Sequence, residues 1–125
     1  MIQVVATPKA PQALGPYSQA IVANGFVFTS GQIALDPKTN SLVDGSIEEQ
    51  TKQVLENLSN VLESVGGSLK RALKTTVFLQ DMSDFSAMNK VYSEYFPDHK
   101  PARSTVQVAK LPLNAKVEIE LVALA

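Results

Sequence analysis

Apolar positions along the chain change period in an ordered way, and each change predicts an element. Between Ala20 and Ser30 (AIVANGFVFTS) two short β-rich runs are split by Asn24-Gly25, the strongest short-range hairpin signal. Without a bulge, alternation sets Ala20, Val22, Phe26 and Phe28 on one side and Ile21, Ala23, Val27 and Thr29 on the other, so this region reads as apolar on both sides. Ser46-x-x-Glu49 has the form of a capping box. Val54, Leu55, Leu58, Val61, Leu62 and Val65 then recur at helical spacing until Gly66-Gly67 stops the run. Thr75 to Leu79 (TTVFL) reads as a strand. Phe85, Met88, Val91, Tyr92, Tyr95 and Phe96 mark a second one-sided helix ending at Pro97.

The last third carries two alternating segments, RSTVQV from Arg103 to Val108 and VEIELV from Val117 to Val122, joined through KLPLNA. Period-2 geometry separates Ser104, Val106 and Val108 from Arg103, Thr105 and Gln107. It likewise separates Val117, Ile119 and Leu121 from Glu118 and Glu120. If the two strands pair antiparallel with apolar faces matched, Glu118 falls opposite Gln107 or Thr105, and Glu120 opposite Thr105 or Arg103. Either register places a guanidinium and carboxylates on one patch.

The resulting order is ββ, α, β, α, ββ, an α+β pattern in one domain spanning 1–125. Two helices cover one face of a sheet, so solvent or a symmetric partner must cover the other. At this length roughly two-thirds of the open chain's surface is buried on folding, enough for a core without staples. Eleven Lys and Arg against twelve Asp and Glu give a formal charge of −1, which offers no net attraction to nucleic acid or anionic membrane. Zero cysteines exclude a disulfide scaffold, a thiolate metal site and a cysteine nucleophile, and one histidine excludes a multi-histidine metal site. The longest wholly apolar stretch, LVALA, is too short to span a membrane. The first residues lack the basic region and apolar run of a secretory signal.

Arg103 is the leading candidate for chemistry. Its planar fork grips a carboxylate bidentately, and its structural alternative is an ion pair with Glu118 or Glu120. Either glutamate is suited to acid–base work if burial or a cation tunes it; a solvated strand face is the plain reading. Asn89 lies on the apolar stripe of the second helix, where an amide must either tie down a loop or face a polar pocket. Gly15-Pro16-Tyr17-Ser18 and Ser30-Gly31-Gln32 are turn-like segments whose glycines permit close approach. His99, in the connection PDHK, reads as exposed, and no phosphate loop or dinucleotide fingerprint is present.

These segments coincide with a known family. ALGPYSQA from Ala13, TSGQI from Thr29, KTTVFLQDMSDFSAMNKVYSEYF from Lys74 and KPARSTVQVAKLPLNAKVEIE from Lys100 resemble the RidA (YjgF) family of reactive-intermediate deaminases over almost the whole chain. PARS followed by VEIE is the specific combination. The resemblance implies a chorismate-mutase-like fold, a mixed sheet covered on one face by two helices and assembled as a homotrimer, with sheets packed inward and sites in clefts between subunits. It implies hydrolysis of enamines and imines such as 2-aminoacrylate, 2-iminopropanoate and 2-iminobutanoate to 2-keto acids and ammonia, without cofactor or metal. By position, Arg103 would bind the substrate carboxylate and Glu118 would activate water. Tyr17, Ser30, Gly31 and Asn89 match other pocket positions, contributed in part by a neighbouring subunit. Thr105 stands where many members have cysteine, so a role needing a thiol there is lost while a main-chain contact survives.

Two other classes share these residues. A non-catalytic trimer that binds 2-keto acids would need Arg103 but not Glu118, and the RNA cleavage or translation inhibition claimed for some relatives is disfavoured by the charge and the lack of a Lys/Arg run. The expected partners are a small imine or keto acid and two further copies of the chain, with no membrane and no nucleic acid. The expected location is the cytoplasm, with the mitochondrial matrix as the alternative.

Overall fold

The computed structural model describes all residues, 1–125. In chain order the elements are β1 (Gln3–Val5), β2 (Ala20–Ala23), β3 (Phe26–Thr29), β4 (Leu35–Asp36), β5 (Ser41–Leu42), α1 (Ile47–Glu63), β6 (Ala72–Leu79), α2 (Phe85–Tyr95), β7 (Ala102–Gln107) and β8 (Val117–Leu124). Six strands form one mixed sheet in the order β1-β2-β3-β8-β6-β7, antiparallel throughout except for the parallel pair β6 and β7, while β4 and β5 form a separate small hairpin.

Local sequence explains the main elements. Asn24 and Gly25 both take positive φ (52° and 80°), as the tight turn between β2 and β3 requires. Helix α1 starts at the reciprocal Ser46–Glu49 capping box and stops where Gly66 turns to φ +81°. The Asp81 carboxylate accepts from Ser83 N–H at 2.8 Å and opens the turn that leads into α2, which ends ahead of Pro97. β6 begins earlier than Thr75, and β1 and the β4–β5 hairpin are too short to leave a period in the sequence.

Both helices pack on one face of the sheet. Val54, Leu55, Leu58, Val61 and Leu62 of α1 meet Val27, Val77, Leu79, Val117, Ile119, Leu121 and Ala123 from the strands, all buried. Each valine, leucine and isoleucine among them contributes about 1.5–3 kcal/mol on burial. The opposite face is uncovered and carries an apolar band: Val4, Phe26, Phe28 and Val106 are exposed, and Ile21, Val122 and Leu124 are half-buried.

Two expectations from the sequence are corrected. The final two strands are not neighbours, because β6 lies between them, parallel to β7 and antiparallel to β8. Alternation defines a strand's faces but not its partners. The strand with Arg, Ser, Thr and Gln takes the sheet edge, where polar residues on both faces are tolerated, and the apolar TTVFL run takes the interior. On β7 it is Ser104 and Val106 that face outward and Arg103 and Thr105 that face the helices. The second correction concerns the first hairpin. Its two-residue turn pairs Ala23 with Phe26, so parity swaps: Ala20 and Val22 share the helix face with Val27 and Thr29, while Ile21 and Ala23 share the open face with Phe26 and Phe28. The region is apolar on both sides, as expected, but by a different grouping.

Candidate active site

Glu118 lies on the open face of β8, in register with Phe78 of β6. Past the end of β3 the chain makes one further bridge to β8: Gln32 N–H donates to the Ile119 carbonyl at 2.9 Å and Ile119 N–H donates to Gln32 at 3.1 Å. This lays Gly31 directly against Glu118. A Cβ at Gly31 would collide with the Glu118 carboxylate and lie 3.1 Å from its Cγ, so this position needs glycine for space.

The neighbouring loop is tied down by side chains. Ser30 donates its hydroxyl to the Ser18 carbonyl at 2.5 Å and its N–H to Gln19 at 2.9 Å. The buried Gln19 amide accepts from Thr7 N–H at 2.7 Å and donates to the Pro11 carbonyl at 2.8 Å, stapling the N-terminal segment to the loop. At the other end, Gln80 accepts from Leu111 N–H and Gln50 accepts from Lys116 N–H, which anchors the connection into β8. Tyr17, Ser30, Gly31, Gln32, Pro112 and Glu118 line a cavity of about 380 Å³. A wider groove of about 550 Å³ lies beyond Tyr17, Gln12 and Gln19, and its lining carries no carboxylate, amine or guanidinium, whereas the smaller cavity holds the Glu118 carboxylate.

Burial pushes the Glu118 carboxyl above its usual range, and the charge of Glu120 on the same face adds to the shift. This carboxylate therefore holds a proton more readily than a solvated one, the behaviour expected of a general base that must later act as an acid.

Arg103 is elsewhere. It pairs in register with Thr75 on the helix face, and its Nη1 donates to Asn89 Oδ1 at 2.7 Å. Its guanidinium carbon lies 4.7 Å from the centre of the Tyr92 ring and 5.5 Å from that of Phe85. Asn89 is half-buried and its amide holds this arginine, so the polar residue on the stripe of α2 serves the guanidinium and not a loop. Thr105, two residues along β7, has its hydroxyl buried without a hydrogen-bond partner.

The residues singled out by sequence thus fall into two groups. Tyr17, Ser30, Gly31 and Glu118 share the cavity on the open side; Arg103, Asn89 and Thr105 lie on the helix side of the edge strand. The expectation of one patch holding Arg103 with Glu118 and Glu120 is incorrect within one chain, and neither ion pair forms, because alternation sends them through opposite faces with β6 between. His99 is exposed, with its ring nitrogen on the Ala72 carbonyl. Sequence reasoning missed Tyr92 and Phe85, read only as core. The signal was there: both share with Asn89 the face of α2 that meets Arg103.

Comparison with known proteins identifies relatives over nearly the whole chain. Residues 7–125 match the protein family described as Endoribonuclease L-PSP. A RutC family protein of Pyrococcus horikoshii is 52% identical, covering 98% of both chains. A human protein named 2-iminobutanoate/2-iminopropanoate deaminase is 43% identical over 98% of this chain and 89% of its own length. The crystal structure of E. coli TdcF with bound serine superposes with a TM-score of 0.93 at 39% identity, covering 98% of each chain. With residues 7–125 matching the family and relatives of this identity along nearly its whole length, the chain belongs to the endoribonuclease L-PSP family, also called RidA or YjgF.

Proposed function

We propose that this protein is an imine deaminase, hydrolysing 2-aminoacrylate, 2-iminopropanoate and 2-iminobutanoate to 2-keto acids and ammonia. The observation that carries the reading is the half-buried Glu118 carboxylate, its acidity weakened by burial, in a small cavity against Gly31. Relatives named as deaminases support it. So does the serine in TdcF, a small amino acid with the carboxylate that Arg103 is suited to grip.

The site is completed between copies of the chain. The uncovered apolar band calls for a symmetric partner. We take the assembly to be a chorismate-mutase-like homotrimer in which the edge strand β7 of one copy brings Arg103, Asn89 and Thr105 to the Glu118 cavity of the next. Arg103 holds the substrate carboxylate bidentately, and Tyr17 and Ser30 border the reacting end. The iminium carbon is already electrophilic, so orientation, one water and a proton acceptor suffice. Water oxygen bonds to that carbon, its proton passes to Glu118, and the C=N π pair moves to nitrogen. Glu118 returns the proton to nitrogen and then accepts the hydroxyl proton as the C–N bond breaks, so that ammonia leaves and the carbonyl forms. The supplying reaction is elimination from serine or threonine by a pyridoxal-phosphate enzyme.

The test couples a pyridoxal-phosphate dehydratase to this protein and follows keto-acid release from the nascent imine. Faster release with the protein than without supports the reading; an unchanged rate overturns it.

A further inference from the structure

The guanidinium of Arg103 is held by more than Asn89. The Tyr92 ring lies under it, and that ring is keyed in place: its hydroxyl shares a 2.7 Å hydrogen bond with the Thr75 hydroxyl, and its face meets the Phe96 ring at 4.7 Å between centroids. Thr75 is fully buried, Tyr92 and Phe96 nearly so. Thr75 is also the in-register neighbour of Arg103 across the parallel pair β6 and β7. One tyrosine therefore ties the guanidinium to the strand beside it and to the core of α2.

A cation over an aromatic face is attracted to the ring, and a guanidinium stacked on it keeps its in-plane N–H groups free for a planar ligand. Burial holds the Tyr92 phenol above its ordinary range, more than the Thr75 bond and the Arg103 charge lower it, so the hydroxyl stays protonated as the key to Thr75. Asn89 takes one Nη1 donor, and the guanidinium carbon lies 4.7 Å from the centre of the Tyr92 ring, which leaves the ring face as its packing surface. An arginine at a strand edge without such a platform loses side-chain freedom only when ligand arrives, and affinity falls accordingly.

We infer that Tyr92 is a positioning residue that sets the plane of the Arg103 guanidinium for bidentate capture of the substrate carboxylate, with Thr75 as its key. This rests on the proposed reading that Arg103 binds that carboxylate.

The experiment measures pyruvate affinity by calorimetry, and KM and kcat in the coupled assay, for Tyr92→Leu, Tyr92→Phe and Arg103→Ala, alone and with each Tyr92 variant combined with Arg103→Ala. Removing the ring is expected to weaken pyruvate binding and raise KM by about 5–30-fold while kcat stays within about twofold, since Glu118 is untouched. Tyr92→Phe keeps the platform but loses the key, and an effect of about two- to fivefold in KM is expected. In the Arg103→Ala background neither Tyr92 change has a further effect. If Tyr92→Leu does not fold, Tyr92→Phe and its combination with Arg103→Ala decide the matter. Wild-type affinity in the folded Tyr92 variants, or losses that persist fully without Arg103, overturn the inference and leave Tyr92 as core packing. Wild-type pyruvate affinity in Arg103→Ala overturns instead the reading of Arg103 on which the inference rests.

Discussion

Arg103 and Glu118 stand on opposite faces of one sheet, with β6 between their strands. The guanidinium is packed beneath α2 and the carboxylate opens on the uncovered side, so within one chain the two groups face apart. If two copies complete each site, two inactive variants restore one another. In a random trimer made from equal amounts of Arg103→Ala and Glu118→Gln chains, about a quarter of the sites pair an intact Arg103 with an intact Glu118. Co-refolding the two is expected to recover about a quarter of wild-type activity, with light scattering reporting a trimer. No recovery from mixed trimers places both groups in one subunit's site.

Glu118→Gln preserves size and removes the base, so turnover is expected to fall about 10²–10⁴-fold with assembly intact. For the wild type, the raised carboxyl moves the acid limb of the pH–rate profile above the ordinary glutamate value of about 4.3. The stability sign follows from the same shift. A group whose folded-state acidity is weakened contributes stability below its unfolded pKa and loses it as pH rises through the raised folded value. Glutamine at position 118 therefore gains thermal stability over the wild type at neutral pH, and the gain disappears in acid. An equal Tm difference at all pH values contradicts the shift.

Gly31→Ala tests the close approach. The added methyl meets the end of a side chain and not the backbone, so Glu118 swings away and the sheet stays in place. Activity is expected to fall about 100-fold, the order of losing a positioned base, while stability changes by less than about 1 kcal/mol. A normal rate in the folded variant, measured in the coupled assay, removes Glu118 from the proton transfer.

Thr105→Val is expected to stabilise. The Thr105 hydroxyl is buried and unpartnered, so an isosteric methyl relieves about 1 kcal/mol of desolvation, near 3–5 °C in Tm for a chain of this size. Pyruvate affinity stays unchanged if this residue meets ligand through its main chain. A lowered Tm assigns the hydroxyl a hydrogen bond in the assembled protein.

The local elements were legible because their signals are local. The Ser46–Glu49 box, the stripes of both helices and the Asn24-Gly25 turn all form where periodicity and capping chemistry put them. The faces of β8 were readable too: Val117, Ile119 and Leu121 are buried and Glu118 points the other way. Candidate residues emerged because arginine, glutamate and a polar residue on an apolar stripe are costly to leave without a role.

What the sequence by itself determined is therefore the two helices, the tight turn of the first hairpin, the type of the longer strands, the two faces of β8, the surplus apolar face and the family resemblance carried by PARS and VEIE. Only the tertiary structure decided which strands lie side by side. Hydrophobic alternation has a period along one strand and no coordinate across the sheet, so it cannot say that β6 enters between β7 and β8. That single insertion sends Arg103 under α2 onto Tyr92 and leaves Glu118 facing Gly31 on the other side.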